Sequence, residues 1–168
     1  MTQLMYAASA PRFAHTLRNL DAILVKAQEY AAAKKIEPDV LLSARLFPDM
    51  FPLLKQIQIA TDHAKSAVAR LAGVEVPKYE DQERTFDDVH ARIAKTIAYV
   101  ESFRPEQFDG AATRDVALRV AGHDLAFKGE TYLHGHALPN FYFHVVTAYN
   151  ILRHNGVEIG KRDYIGAV

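Results

Sequence analysis

The stretch Gly129–Gly156, GETYLHGHALPNFYFHVVTAYNILRHNG, decides how this chain folds. Leu138, Phe141, Val145, Ala148 and Leu152 recur in steps of three and four, one apolar stripe of a long amphipathic helix. Pro139 is expected to kink or restart that helix. Arg153 and His154 in the last turn, with Gly156 after them, make a coherent stop. The stretch carries His134, His136, His144 and His154, half of the eight histidines in the chain. Asn140 and His144 stand one turn apart, so both side chains leave the same face at the edge of the stripe. Phe141, Tyr142 and Phe143 are consecutive, and one helix cannot turn all three into a single core.

Three more helical stripes precede it. Ser9 and Pro11 open the first, and Phe13, Leu17, Leu20, Leu24, Ala27 and Ala31 carry it to about Lys34–Lys35. A short turn after Pro38 is expected to send Val40, Leu41 and Leu42 inward. The segment LFPDMFP (residues 46–52) breaks the chain twice, and Asp49 is placed to cap the next helix. The second long helix is expected over Pro52–Ala72, on Leu53, Ile57, Ala60, Ala64, Ala67 and Leu71, with Gly73 as its stop. So many alanines on one face imply close approach to a neighbouring helix. Gln56 and His63 flank that face, and Asp62 reads as an ion-pair partner of Lys65. A polar linker, EVPKYEDQER, leads to Thr85, an N-cap with Asp87 and Asp88 in the first turn. The third stripe is Phe86, Val89, Ile93, Thr96 or Ile97, Val100 and Phe103, ended by Pro105.

Between Pro105 and Lys128 the period changes. Val116, Leu118 and Val120 alternate with polar residues, as do Leu125 and Phe127, with AGHD between the two runs. This predicts a small β-hairpin that must pack on the helices, because two strands alone are marginal in water. The expected fold is therefore all-α, a four-helix bundle with a short β-hairpin between the third and fourth long helices, in a single domain over residues 1–168. The tail, VEIGKRDYIGAV, is expected to cover the bundle or to contact a second subunit.

Composition narrows the function classes. Of 168 residues, Lys plus Arg and Asp plus Glu number 20 each, so the formal net charge is zero. Phosphate-backbone recognition needs clustered excess positive charge, so no nucleic-acid partner is expected. There is no cysteine, which removes disulfides, thiolate metal sites and thiol nucleophiles. The N-terminal MTQLMYAASAPRF is too short in apolar run for a signal peptide, and no stretch reaches the roughly 20 apolar residues of a membrane span. A cytoplasmic protein is the expectation. No phosphate loop, dinucleotide fingerprint, nucleophile elbow or Glu-x-x-His pair occurs.

Four residues are candidates for a site. His144 reads either as a half-buried histidine bonded to a neighbour or as a ligand- or metal-binding group. Asn140 reads as a cap after Pro139 or as its companion. Asp49 is a helix cap or an acid/base partner for His144 at the mouth of the bundle. Gln56 is a polar edge residue or a pocket wall. His136 lies on the same side, with its direction disturbed by Pro139. His15, His90 and His123 read as surface residues.

LFPDMFPLLKQIQIATDHAK and ALPNFYFHVVTAYNILRHNGVEIGKRDY, with MYAASAPRFAHTLRNL at the start, resemble the bacterial domain-of-unknown-function family numbered 1993. That family resembles the DinB/YfiT-like superfamily of helical bundles, described as metalloenzymes, with thiol transferases and metal-dependent isomerases among its relatives. The resemblance implies a three-histidine metal site, one histidine on the second helix and two a turn apart on the fourth. Here Asn140 and His144 have that spacing with one histidine, and Gln56–Ile59 offers none. Amide carbonyls replace imidazole poorly toward zinc or nickel, so the implied site is degenerate or empty. The expected function is small-molecule binding in a polar pocket between the second and fourth helices. The alternatives are a zinc- or nickel-dependent transferase or hydrolase on a small substrate, and a non-catalytic homodimeric interaction protein.

Overall fold

The structure, a computed structural model, describes residues 2–120 and 122–167. Met1, Ala121 and Val168, which fall within the N-terminal, hairpin-loop and tail readings, lie outside them. Numbered in chain order, the helices are α1 (Thr2–Ala7), α2 (Ala10–Lys34), α3 (Pro38–Leu42), α4 (Leu53–Ala72), α5 (Phe86–Glu101), α6 (Gly129–Tyr132), α7 (Leu138–His154) and α8 (Lys161–Ile165). A 3₁₀ turn covers Pro105–Phe108, and strands β1 (Asp115–Val120) and β2 (His123–Lys128) form an antiparallel hairpin. The long helices α2, α4, α5 and α7 are the four that the stripes predict.

The bundle is not a ring in chain order. Helix α2 packs along α5, α4 packs along α7, and α5 also lies against α4, while consecutive α2 and α4 touch little. The stripes form one core: Phe13, Leu17, Leu20, Leu24, Leu53, Ile57, Ile93, Val100, Phe141 and Leu152 are all sealed from solvent. Ala60, Ala64 and Ala67 are wholly buried on α4, where small side chains let neighbouring backbones come close. Of the consecutive aromatics, Phe141 is buried, Tyr142 is partly covered and Phe143 is exposed. Val40 is exposed rather than inward; only Leu41 and Leu42 of α3 reach the core. No helix among the described residues is long and apolar enough to cross a membrane.

The hairpin follows its alternation, with Val116 opposite Phe127 and Leu118 opposite Leu125. It is tied at its base by Gly129 N–H donating to Arg114 O at 2.8 Å. A Cβ at Gly129 would collide with the Ala111 carbonyl, so only glycine permits that approach. The final helix is interrupted just before Pro139, as expected, and Pro139 stands in the first turn of α7. It runs from Gly129 through α6, a π-helical turn at Leu133–Ala137, and α7. That turn precedes Pro139, whose missing N–H leaves a gap in the α-helical ladder.

The linker between α4 and α5 is held firmly. Arg92 on α5 is buried, and its guanidinium meets Asp62 at 3.0 Å, Glu83 at 3.0 Å and Asp81 at 3.1 Å, while Nε donates to Thr61 at 2.7 Å. The Tyr79 ring lies among three cations, Lys95, Lys65 and Arg92, at 4.2, 4.7 and 5.4 Å. Thr85 and Asp88 form a reciprocal capping box that starts α5. The tail covers the bundle: Asn19 of α2 donates to the Tyr164 and Ile165 carbonyls, and Lys26 pairs with Asp163 at 2.6 Å.

Arg92→Met leaves partly buried carboxylates without their common cation. It should lower unfolding stability by about 3 kcal/mol in urea titrations. Arg18→Ala removes the exposed Glu101 pair and should cost less than about 1 kcal/mol. Equal midpoints for the two variants would contradict the assignment of Arg92 as the clamp.

Candidate functional site

Helix α4 projects Gln56, His63 and Arg70 at intervals of seven residues, two turns each, so all three share one face. That face meets the final helix. Gln56 Nε2 donates to the Phe51 carbonyl at 3.0 Å, which leaves its Oε1 turned to His144 Nδ1 at 2.7 Å. With the amide nitrogen engaged by Phe51, the contact with His144 must run from an imidazole N–H to the amide oxygen. The network thereby assigns His144 the Nδ1–H tautomer and leaves Nε2 with a lone pair. His63 lies beyond, its ring 5.8 Å from that of His144 and nearly parallel to it, and 6.0 Å from the ring of His136. His136 stands within the π turn and stacks on Tyr132 at 5.7 Å. The Tyr132 hydroxyl accepts from Arg70 Nη1 at 3.1 Å.

The three imidazoles are held neutral. Burial, followed by the unfavourable positive charges of His144, His136 and Arg70, lowers His63 from the ordinary 6.5 to about 4. Burial and then Arg70 lower His136, and burial lowers His144. Burial also pushes the Tyr132 phenol up, against the opposing influence of Arg70. Neutral imidazole is the form that accepts protons, donates hydrogen bonds and ligates metals. In kind, these groups suit zinc or nickel. Among the described residues, however, no three His, Asp or Glu side chains are arranged to hold a metal ion.

A cleft of about 380 Å³ opens beside His63 and His136. Helix α4 lines it with Asp62, His63, Ser66 and Arg70, and residues 118–120 of β1 form the opposite wall. Larger hollows lie elsewhere. One, of about 520 Å³, surrounds Tyr79 and Arg92, whose guanidinium is already matched by Asp62, Asp81 and Glu83. Another, of about 510 Å³, lies between α2 and the tail, and a third, of about 450 Å³, lies beside α3 and the start of α4. None of these contains the imidazole group.

The sequence-level candidates are only partly brought together. Gln56 and His144 are bonded, but they stand behind His63 and do not line the cleft. Asn140 turns its amide back along its own helix, donating to the His136 carbonyl at 2.7 Å. Asp49 is exposed in the turn before α4, and that helix begins at Leu53 with no side-chain cap. Its expected capping role is therefore corrected; the chain turns at Pro48 and Pro52 without needing a carboxylate. Gln56–Ile59 carries no histidine, as read from the sequence; the imidazole of the second long helix is His63, seven residues beyond Gln56. Two histidines read as surface groups are engaged. His90 donates to Asp21 at 2.6 Å with its Nε2 sealed from solvent, and His15 bonds the Ile165 carbonyl at 2.7 Å. Arg70, His63 and Tyr132 are site residues that stripe analysis misses. The seven-residue spacing from Gln56 is the signal that finds the first two.

The fold and site define a class: a helical bundle with an inserted hairpin and a histidine group between its second and fourth long helices. A DinB family member protein from Shewanella denitrificans, solved by crystallography, is 43% identical, superposes with a TM-score of 0.94, and covers 99% of this chain and 94% of its own. The family described as "Domain of unknown function (DUF1993)" matches residues 5–165, and the chain belongs to that family. No curated protein matches it.

Histidine-selective NMR should find one imidazole titrating near pH 4, its signal absent in His63→Gln. Between pH 6.5 and about 4 the unfolded chain binds a proton at this position that the fold refuses. Stability should therefore fall as pH is lowered through that window, and less steeply in His63→Gln. An ordinary titration of His63 near 6.5 would contradict the burial argument.

Proposed function

We propose that this protein binds a small molecule in the cleft between α4, strand β1 and the π turn, and presents it with the neutral imidazoles of His63 and His136. The observation that carries this reading is the relay from the Phe51 carbonyl through Gln56 to His144, whose ring packs on His63. A polar series of this kind inside a helix interface costs stability unless each member is satisfied. Its retention beside a cleft of ligand size suits a binding site. In this reading Gln56 and His144 position His63, and the cleft residues touch the ligand. A neutral imidazole held there offers both an N–H and a lone pair to polar groups on the bound molecule.

Screening a fragment library by histidine side-chain NMR tests the proposal. Ligands should move the His63 and His136 signals together, and Gln56→Leu should weaken their binding about tenfold by loosening His144. A screen in which every hit leaves both signals in place would remove the site.

A further inference from the structure

The charges around the cleft specify the kind of molecule it takes. Asp62, its carboxylate, is already matched: Oδ1 receives Arg92 at 3.0 Å and Lys65 at 3.1 Å from the far side. Arg70 has no such match. Its partners are the neutral hydroxyl and ring of Tyr132, and among the described residues it enters no ion pair. Arg119, on the opposite wall, meets only Asp124 at 3.7 Å, in a pair that is mostly exposed to water. Such a pair is worth little and exchanges readily. Arg70 and Arg119 thus border one cleft from two separate elements, α4 and β1, and Ser66 lines the same cleft with a hydroxyl. Both neighbouring imidazoles are neutral and offer N–H groups without adding or cancelling charge.

We propose that the cleft is an anion site, taking a small molecule through a carboxylate or phosphate group held between Arg70 and Arg119. This rests on the small-molecule reading of the same cleft and names the class of ligand. Guanidinium is suited to the task because its planar fork meets two oxygens of a carboxylate or phosphate at once. The arrangement also gives the hairpin a purpose: β1 carries the second cation to a position that the four helices do not reach. The bound anion supplies the countercharge that Arg70 lacks within the fold.

The test is calorimetric titration of the full chain with inorganic phosphate and with acetate, at constant ionic strength, against Arg70→Met and Arg119→Ala. Saturable binding of at least one anion is expected, weakened about tenfold or more in each variant. Arg119 is exposed, so its variant keeps the test decisive even if Arg70→Met disturbs folding. Arg70→Lys, which keeps the charge and loses the fork, should retain part of the affinity. No saturable binding of either anion, or affinity unchanged in Arg119→Ala, overturns the proposal. If uncharged fragments move the His63 and His136 signals while neither anion binds, the cleft binds ligands and the anion class alone is wrong. If an anion binds through Arg70 and Arg119 without moving those signals, the anion site stands and the imidazole reading falls.

Discussion

The packing of α4 against the final helix is the constraint on which the rest of the structure depends. It is close because α4 buries alanine at 60, 64 and 67. It is specific because polar groups must meet within it. Gln56, His63, His136 and His144 would each lose water on burial, and unmet polar groups in such a place cost more than met ones return. The Phe51 carbonyl and Gln56 satisfy one another and orient His144. That fixes the sliding and rotation of one helix on the other more tightly than an apolar seam would. The π turn at Leu133–Ala137 belongs to the same arrangement, since it sets the direction of His136 just before Pro139.

A second polar centre holds the opposite side of α4. Arg92 gathers Asp62 with Asp81 and Glu83 from the linker, so the extended segment before α5 lies fixed against α4 and α5. Asp62 and His63 are adjacent in sequence and divide the labour. One faces the clamp and is neutralised by it; the other faces the imidazole group. This division is why the cleft beside them keeps an excess of positive charge although the whole chain carries none.

Much of the architecture was legible from periodicity. Leu53, Ile57, Ala60, Ala64, Ala67 and Leu71 are buried as their spacing requires, and the alternation of Val116, Leu118 and Phe127 places the hairpin. Helices α1 and α8 were not legible, because five or six residues carry too little of a 3.6-residue period. The site was legible in part. The meeting of Gln56 with His144 follows from their helical faces, but the role of His63 required extending that face by seven residues. His136 was obscured by the π turn, which no stripe reveals. Arg92 was hidden for a different reason: its position on the buried face of α5 looks unfavourable until the acidic linker folds over it.

Gln56 and His144 interact across the two helices and thereby support the imidazole group. A double-mutant cycle between Gln56→Leu and His144→Phe, read out by urea unfolding, measures this most directly. A coupling of about 1 kcal/mol between the two positions is expected. Strict additivity of the two substitutions would contradict it.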